Sequence, residues 1–275
     1  MFQKRIQQIK AIKLDIPWVW IFIVFTGIVL VAGSFAYTIN VSWEKFTSDK
    51  MFENLFTMLG EMLPPNLLVV STLGKPIIET LAMSVMATLI AVAISFPLSF
   101  LAAKNTTPNP AIRPVVKGLF SALRAVPELI MGVIFVAAVG FGILPGILAL
   151  GFHSAGMLGK FYAEAIEKVD VGLSEAIESV GGSRFHTIVF GVIPQIISHS
   201  VDYSLYRWEY NFRASTVVGL IGAGGIGFQL IASLRIMQYR DVLAILLVVF
   251  VLVQLVDGFG NIIRKRIIEG ADNNK

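Results

Sequence analysis

Residues 170–194 read DVGLSEAIESVGGSRFHTIVFGVIP, and this polar segment between two apolar runs decides how the chain is organised. Gly181 and Gly182 divide it into two parts of helical composition. Ser183 can cap the N-terminus of the second part, because a serine hydroxyl accepts hydrogen bonds from the free amides of a first helical turn. Pro194 then marks the entry into the next apolar run. As local structure, the pattern predicts two short helices that connect two longer ones.

The apolar runs around this segment are long enough to cross a lipid bilayer, which takes about 20 residues in a helix. Such runs are too long for β-strands, and a helix satisfies its own backbone hydrogen bonds in lipid. We therefore predict an all-α fold, a polytopic transmembrane helical bundle with about six spans. The runs are Trp18–Tyr37, Ile77–Ala103, Leu119–Phe141, Ile147–Ala165, Phe190–Tyr210 and Val242–Ile263.

The composition agrees with a membrane protein. Of the 275 residues, 56% are hydrophobic and 15% are charged, whereas a soluble domain has about 45–50% apolar and about 25% charged residues. The mean hydropathy is +0.77 and the net charge is +4. These values exclude a soluble enzyme, a disordered chain and a nucleic-acid-binding protein. Cysteine is absent, which excludes disulfides, zinc–thiolate sites and cysteine nucleophiles.

Motifs that would carry chemistry are absent or incomplete. Residues 222–227 satisfy the pattern GxGxxG, but a dinucleotide site also needs a preceding strand and an acid about 20 residues later. We interpret this segment as flexible backbone that breaks a helix. The chain has no P-loop pattern and no GxSxG elbow, and His153, His186 and His199 lack metal-ligand spacing. We predict no catalytic residue, no cofactor and no metal, and hence a protein that is not an enzyme.

The distribution of lysine and arginine predicts the orientation, because short basic loops lie on the cytoplasmic side. Residues 1–16, residues 104–118 and the sequence Arg264-Lys265-Arg266 are basic, which predicts that both termini are cytoplasmic. The connection 38–76 is nearly balanced in charge and is predicted to be external. Two segments fit less well. By parity, the acidic stretch 160–189 must be internal and the stretch 213–241 must be external.

The chain divides into two predicted regions. Residues 1–76 form an N-terminal tail, the first span and an external loop that contains an amphipathic helix over 48–63. This helix is expected to lie in the outer membrane interface and to stop at Pro64-Pro65. Residues 77–275 form the transmembrane core, with a cytoplasmic segment at about 168–190.

Small residues recur every fourth position on two runs. Such faces let helix backbones approach each other closely, so we predict that the two runs pack tightly in a bundle. One set is Ala87, Ala91, Ser95, Ser99 and Ala103, and the other is Gly151, Ala155 and Gly159.

The spacing within 170–194 resembles the EAA loop of ATP-binding-cassette importer permeases. That loop runs Glu-Ala-Ala, three residues, Gly, and later a hydrophobic-x-Leu-Pro ending. Glu175-Ala176, Gly181 and Pro194 keep this spacing. The sequence departs from the pattern at Ile177, which replaces the second alanine. It also has Gly191 at the usual isoleucine position and Ile193 in place of leucine.

Residues 123–228 further resemble the phosphonate-type permease subunit. The similar stretches are 123–128 (LRAVPE), 135–140 (FVAAVG), 153–160 (HSAGMLGK), 206–213 (YRWEYNFR) and 218–227 (VGLIGAGGIG). The last stretch occurs in looser form in methionine-type importer permeases, so it indicates the superfamily more than the substrate.

The resemblance implies a type I importer permease with methionine-type (MetI-like) architecture in the bacterial inner (cytoplasmic) membrane. It implies two permease copies as a homodimer, two separate ATP-binding-cassette ATPase subunits and an external substrate-binding protein. The implied substrate is phosphonate or a related small oxyanion, such as phosphite or a phosphate ester. The residues implied to couple to the ATPase are Glu175, Ala176, Gly181, Ser183, Arg184 and Pro194.

A cluster of charged residues lies at the end of the fifth run, and two interpretations of it stay open. Glu209 and Arg213 are four residues apart, which favours a helical ion pair that pins this helix against the glycine-rich residues 219–227. Alternatively, an arginine lines the transport route and hydrogen-bonds an oxyanion. Pairing is the favoured interpretation, because ionisable groups buried in membranes usually pair with one another. The candidate residues are Arg207, Glu209, Asn211, Arg213, Gly224 and Gly225.

Two other classes of protein are alternatives. A membrane enzyme lacks any nucleophile–base or metal set in this sequence. The class that stays open is an ion-coupled secondary transporter or channel subunit. It would explain six spans and buried charges. However, many such transporters carry an inverted repeat, and the two halves of this sequence show none. It also leaves the spacing in 170–194 as a coincidence.

Overall fold

The computed structural model describes residues 18–39 and 49–272, and throughout these ranges the regular structure is helical, without strands. The all-α prediction is therefore confirmed for the described part of the chain. Contacts within the chain separate residues 1–60 from residues 61–275 as two compact units. The basic N-terminal tail 1–16 and part of the predicted external loop lie outside the described residues.

The first unit contains an apolar helix and most of an amphipathic one. Helix α1 (Trp18–Ile39) has strongly apolar, exposed side chains, as expected of a helix that faces lipid. Helix α2 (Asp49–Met62) coincides with the amphipathic helix predicted over 48–63 and ends before Pro64-Pro65. Its position in the outer membrane interface stays a prediction.

The second unit is a bundle of long helices joined by short helical segments. Its elements are a 3₁₀ turn (Leu67–Thr72), α3 (Gly74–Ala102), α4 (Ile112–Ala125), α5 (Glu128–Val139), α6 (Ile143–Glu167), α7 (Val171–Ser179), α8 (Arg184–His186), a π turn (Thr187–Val192), α9 (Ile193–Val218), a second π turn (Gly219–Ala223), α10 (Gly225–Arg235) and α11 (Tyr239–Asp272).

Three described helices, α1, α3 and α11, are long and apolar enough to cross a membrane. Two bent pairs, α4 with α5 and residues 184–223 with α10, raise the number to five if each pair crosses once. The remaining predicted run, Ile147–Ala165, lies in α6, which does not meet the same test of length and composition. Helix α6 is central and largely buried against other helices. Because it contacts protein more than lipid, its side chains need not all be apolar. A crossing by α6 stays a prediction.

Two of the predicted runs have different limits in the structure. The run 119–141 is not one helix, because α4 and α5 meet at an 86° bend. Pro127 disfavours helical backbone at the preceding residue, and Val126 is extended, with φ −88° and ψ 118°. The run predicted to end at Tyr210 continues as α9 to Val218. The charged cluster therefore lies within a helix and not at its end.

The predicted close packing of the small residues is confirmed, with Gly151 against α3 and Gly159 against Phe120 of α4. All eight of these residues are buried. A Cβ atom added at Gly151 would lie 3.3 Å from Cγ2 of Ile90 and 3.4 Å from the carbonyl oxygen of Ala87. The two backbones therefore approach so closely that only small residues fit between them. This contact makes α6 the centre around which α3, α4, α5 and α9 assemble.

Candidate functional site

The segment 170–194 forms two short helices with the predicted hinge between them. Helix α7 begins after Asp170, whose side chain accepts a hydrogen bond from the amide of Gly172 at 2.9 Å. Gly181 has φ +85°, a conformation that L side chains rarely adopt. Ser183 occupies the N-cap position of α8, and its amide donates to Nδ1 of His186 at 3.3 Å. The predicted local structure is confirmed. We call residues 170–192 the coupling segment, after the role that the resemblance implies for them.

The two main departures from the EAA pattern lie against each other. A Cβ atom at Gly191 would be 3.1 Å from Cδ1 of Ile177 and 3.4 Å from Oγ of Ser174. Ile177 therefore fills the space that a side chain at position 191 would otherwise occupy. Because the larger side chain on one helix faces a glycine on the other, the pair keeps the total volume. The sequence pattern alone did not connect these two positions.

The predicted coupling residues lie on the surface of the described chain. Glu175, Ala176, Gly181, Ser183, Arg184 and Pro194 are all exposed. Two large apolar side chains accompany them, Val180 with 85% and Phe185 with 70% of its surface exposed. A groove of about 270 Å³ lies alongside, and Glu175, Glu178 and Arg184 line part of it. The segment thus presents charged and apolar groups together, as protein-binding surfaces do.

The coupling segment is attached to the bundle by one glutamine that the sequence analysis missed. The side-chain oxygen of Gln195 accepts from the amide of Asp170 at 2.9 Å. Its side-chain nitrogen donates to the carbonyl oxygens of Gly191 at 2.6 Å and Asp170 at 3.3 Å. Gln195 therefore ties the start of the segment to the start of α9.

A cluster of charges holds the nearby end of α6. The same oxygen of Glu167 accepts from Nζ of Lys117 at 3.2 Å, the amide of Lys104 at 3.0 Å and Nη2 of Arg113 at 3.3 Å. Partial burial acts to raise the pKa of Glu167. The hydrogen bonds of Lys117 and Lys104 and the positive charges outweigh it and hold the pKa of this carboxyl below its ordinary value. The carboxylate thereby ties the 104–118 connection to α6.

The predicted ion pair between Glu209 and Arg213 is wrong. Nη1 of Arg213 donates to both carboxylate oxygens of Asp257, each at 2.9 Å. Glu209 instead accepts from Nη2 of Arg264 at 3.0 Å. Both partners lie on α11, so the charges pin α9 to α11 and not to the glycine-rich residues 219–227. Partners across a helix interface replace the partner one turn away, because α11 packs directly on this face of α9.

Arg264 completes this connection between α9 and α11. Its Nε donates to Oδ1 of Asp202 at 2.6 Å, about two helical turns along α9 from the contact with Glu209. Gly260 is required at the same place, because a Cβ atom there would overlap the carboxylate of Glu209. We call these five groups the α9–α11 ion-pair ladder: Asp202, Glu209, Arg213, Asp257 and Arg264.

Arg207 lies apart from this ladder and faces α6. It is buried, and its Nε donates to Oγ of Ser154 at 2.8 Å. Ser154 in turn donates to Oδ1 of Asn211 at 2.8 Å, and Nδ2 of Asn211 donates to Oγ1 of Thr88 at 2.9 Å. The ring of Tyr210 covers the guanidinium, with Cζ 4.1 Å from the ring centroid. Arg207 and Asn211 thus belong to one polar network that joins α3, α6 and α9.

The glycine-rich residues break the helix as predicted. Gly222, Gly224 and Gly225 have φ of 98°, 77° and 72°, and α10 starts afresh at a 59° bend. Two side chains of α3 satisfy the free amides of α10. Glu79 Oε2 accepts from Gly225 at 3.0 Å, and Oγ1 of Thr80 accepts from the following amide at 2.9 Å. A carboxylate at a helix N-terminus is favourable, so this contact fixes the bend.

Long apolar helices around a buried polar network define the class of this protein, a helical membrane protein that crosses the bilayer several times. The chain belongs to the family of binding-protein-dependent transport system inner membrane components, whose sequence model matches residues 95–269. It is therefore a permease subunit, and the resemblance found in the sequence is confirmed. The alternative of a secondary transporter or channel subunit finds no support.

Several relatives are permeases with related names. The chain is 54% identical to the phosphite transport system permease protein PtxC of Stutzerimonas stutzeri, over 77% of each chain. It is 40% identical to the phosphate-import permease protein PhnE of Mycolicibacterium smegmatis, over 81% of this chain and 42% of the relative. A putative cryptic phosphonate transport permease of Escherichia coli, PhnE2, is 39% identical over 44% of this chain and 100% of its own length.

Solved structures show the same fold at lower identity. The MetNI methionine ABC transporter, in inward-facing conformations, includes a chain that matches with a TM-score of 0.62 at 19% identity. The match covers 71% of this chain and 95% of the other. An amino acid ABC transporter matches with a TM-score of 0.59 at 20% identity, over 70% and 92% of the two chains. The predicted architecture of a methionine-type importer permease is therefore confirmed.

The α9–α11 ion-pair ladder predicts which double variants restore stability. We expect Arg213→Ala to lower the free energy of unfolding by about 1.5–3 kcal/mol, since it removes hydrogen bonds to a charged group. The charge exchange Arg213→Asp with Asp257→Arg should recover part of the loss. Thermal unfolding of the purified protein in detergent measures both. As a control, Glu209→Ala added to Arg213→Ala should give no recovery, and a recovery there would contradict the observed pairing.

The contact between Ile177 and Gly191 predicts a second compensating pair. Gly191→Ile alone should displace α7, because the new side chain meets Ile177, and overpacking of this kind costs about 1–3 kcal/mol. Adding Ile177→Ala should restore the thermal stability. Limited proteolysis of the coupling segment reports the displacement directly. Equal protease sensitivity of the single and double variants would show that the two positions do not share one space.

Proposed function

We propose that this permease carries a small phosphorus oxyanion, such as phosphite, a phosphonate or a phosphate ester, in an ATP-driven importer. The observation that carries the proposal is the 54% identity to a phosphite permease over 77% of each chain. Relatives named for phosphate and phosphonate transport support the same class of substrate. All of these substrates are tetrahedral oxyanions, so one pathway chemistry serves them.

The proposed coupling surface is the exposed side of the coupling segment. Glu175 and Arg184 offer charges of both signs beside the groove, and Val180 and Phe185 offer apolar area that a partner would remove from water. Separate ATPase subunits are the proposed partners, one for each permease copy. The absence of a P-loop pattern from this sequence agrees with a separate ATPase.

The proposed assembly has two permease copies in the bacterial inner membrane, with an external binding protein that delivers the oxyanion. The family description supports both the membrane and the binding protein. We propose that the second copy contacts α5, where the apolar side chains of Leu129, Ile130, Val133 and Ile134 are exposed beside the sharp bend after α4. A homodimer places this surface and its copy around one pathway.

Uptake of labelled anions tests both substrate and coupling. We expect proteoliposomes with the permease, its ATPase and its binding protein to accumulate labelled phosphite or methylphosphonate only with ATP. Glu175→Lys should abolish uptake and weaken retention of the ATPase on the purified permease, because it reverses a charge at the proposed contact. The matched control is Glu53→Lys on α2. It makes the same change of charge at an exposed residue that is far from the coupling segment in the sequence.

Two outcomes would contradict this proposal separately. Unchanged uptake in Glu175→Lys would remove that residue from the coupling surface while leaving the substrate class intact. Uptake of methionine but of no phosphorus oxyanion by the wild-type assembly would overturn the substrate class.

The proposed orientation has both termini in the cytoplasm and the 38–76 connection outside. Because the chain lacks cysteine, single introduced thiols react without background. We expect Lys50→Cys on α2 to react with an impermeant thiol reagent in intact cells. Ser179→Cys, which lies exposed at the end of α7, should react only after the cells are opened. The reverse pattern of labelling would invert the orientation.

A further inference from the structure

Three arginines on α9 and α11 differ in whether a carboxylate accompanies them. Arg213 contacts Asp257, and Arg264 contacts two acids of α9. Among the side chains that the structure describes, by contrast, no carboxylate oxygen lies within 4.0 Å of a nitrogen of Arg207. Arg207 is also the most deeply buried of the three, with 3% of its surface exposed, whereas the side chains of Arg213 and Arg264 are 44% and 25% exposed.

The carboxylate of Glu128 does not fill this role, because other groups engage both of its oxygens. Oε1 accepts from the hydroxyl of Tyr210 at 2.7 Å. Oε2 lies 3.4 Å from Nε2 of His153 on α6. Glu128 therefore holds the ring that covers Arg207, and it is not the direct partner of the guanidinium.

The polar neighbours of Arg207 fix its orientation and leave one donor group unused. Nε donates to Ser154, which passes its own hydrogen bond to Asn211, and Asn211 passes its bond to Thr88. The Thr88 hydroxyl ends the chain on the carbonyl oxygen of Ser84 at 2.8 Å. Each of these groups is thus engaged and none turns toward Nη2. Nη2 of Arg207 is buried and has no hydrogen-bond partner among the described residues.

A buried, oriented and unpaired guanidinium is costly, and within membranes such groups mark transport pathways. The geometry points to Arg207 as an oxyanion-binding residue within the bundle, whose Nη2 donates to an oxygen of a small tetrahedral phosphorus oxyanion. This assignment rests on the proposed function for the substrate class. Tyr210 covers the face of the guanidinium, so the anion binds in its plane, where the N–H groups point.

The contrast between Arg207 and Arg213 supplies the matched control for a test. The full-length chain is purified in detergent as wild type, Arg207→Gln, Arg207→Lys and Arg213→Gln. Melting temperatures are measured with and without phosphite at constant ionic strength. We expect phosphite to raise the melting temperature of the wild type and of Arg213→Gln, because a ligand that binds the folded state stabilises it. The rise should be absent in Arg207→Gln and smaller in Arg207→Lys, since lysine keeps the charge without the planar fork.

The two arginine variants should also differ in melting temperature when no anion is present. Arg213→Gln should lower the melting temperature, because it leaves Asp257 unpaired. Arg207→Gln should not lower it, because the change removes a buried charge and breaks no direct ion pair among the described side chains. In reconstituted uptake with saturating binding protein, Arg207→Gln should slow phosphite transport by about tenfold or more, the loss expected for one charge-assisted hydrogen bond.

Each outcome decides the assignment. A phosphite-dependent rise that persists in Arg207→Gln, or that is missing in the wild type, would overturn it. Failure of Arg207→Gln to fold would also overturn it, because the residue would then be structural, and Arg207→Lys would show whether the fold needs only the charge. Failure of wild-type uptake with an intact, Arg207-dependent phosphite shift would refute the proposed transport function and leave the anion site standing.

Discussion

Charge inside a membrane bundle must be paired or used, and this constraint governs how α9 is placed. The helix carries Asp202, Glu209 and Arg213 along one side, and none of these groups can face lipid without a large cost. Helix α11 answers each of them with an opposite charge, from Asp257 or Arg264. The ladder fixes the rotation of α9, and this rotation turns Arg207 toward α6 and its polar network. The close packing of α3 on Gly151 of α6 brings Thr88 of α3 near the other members of that network.

Local sequence chemistry predicted those features that depend on a few neighbouring residues. Gly181 has the left-handed backbone expected of a hinge, and Ser183 stands at the start of the next helix. The glycines at 222–225 break a helix, as their flexibility suggested. The repeated small residues of α3 and α6 lie at close helix contacts, because small side chains let helix backbones approach each other.

Features that depend on distant residues could not be predicted in this way. The rule for residues four apart describes an isolated helix, so it paired Glu209 with Arg213. It does not consider partners on a second helix, which here are 44 to 62 residues away in the sequence. In the sequence, Glu79 is only a single charge near the start of the run Ile77–Ala103, yet its side chain accepts a hydrogen bond from the amide of Gly225, 146 residues later. The compensation between Ile177 and Gly191 is likewise visible only when both sides of the contact are known.

The second part of the coupling segment and the buried arginine lie on consecutive helical segments, because α8, the π turn and α9 follow one another from Arg184 to Val218 without a gap. Under the proposed function, a displacement imposed on α7 and α8 by an ATPase would therefore move Arg207 directly. A rigid helix carries such a displacement without a sequence of intermediate side-chain contacts. The α9–α11 ladder would make α11 follow, whereas the glycines at 222–225 allow α10 to keep its contact with Glu79. In that arrangement, the break in the helix separates the part that moves with the ATPase from the part that stays attached to α3.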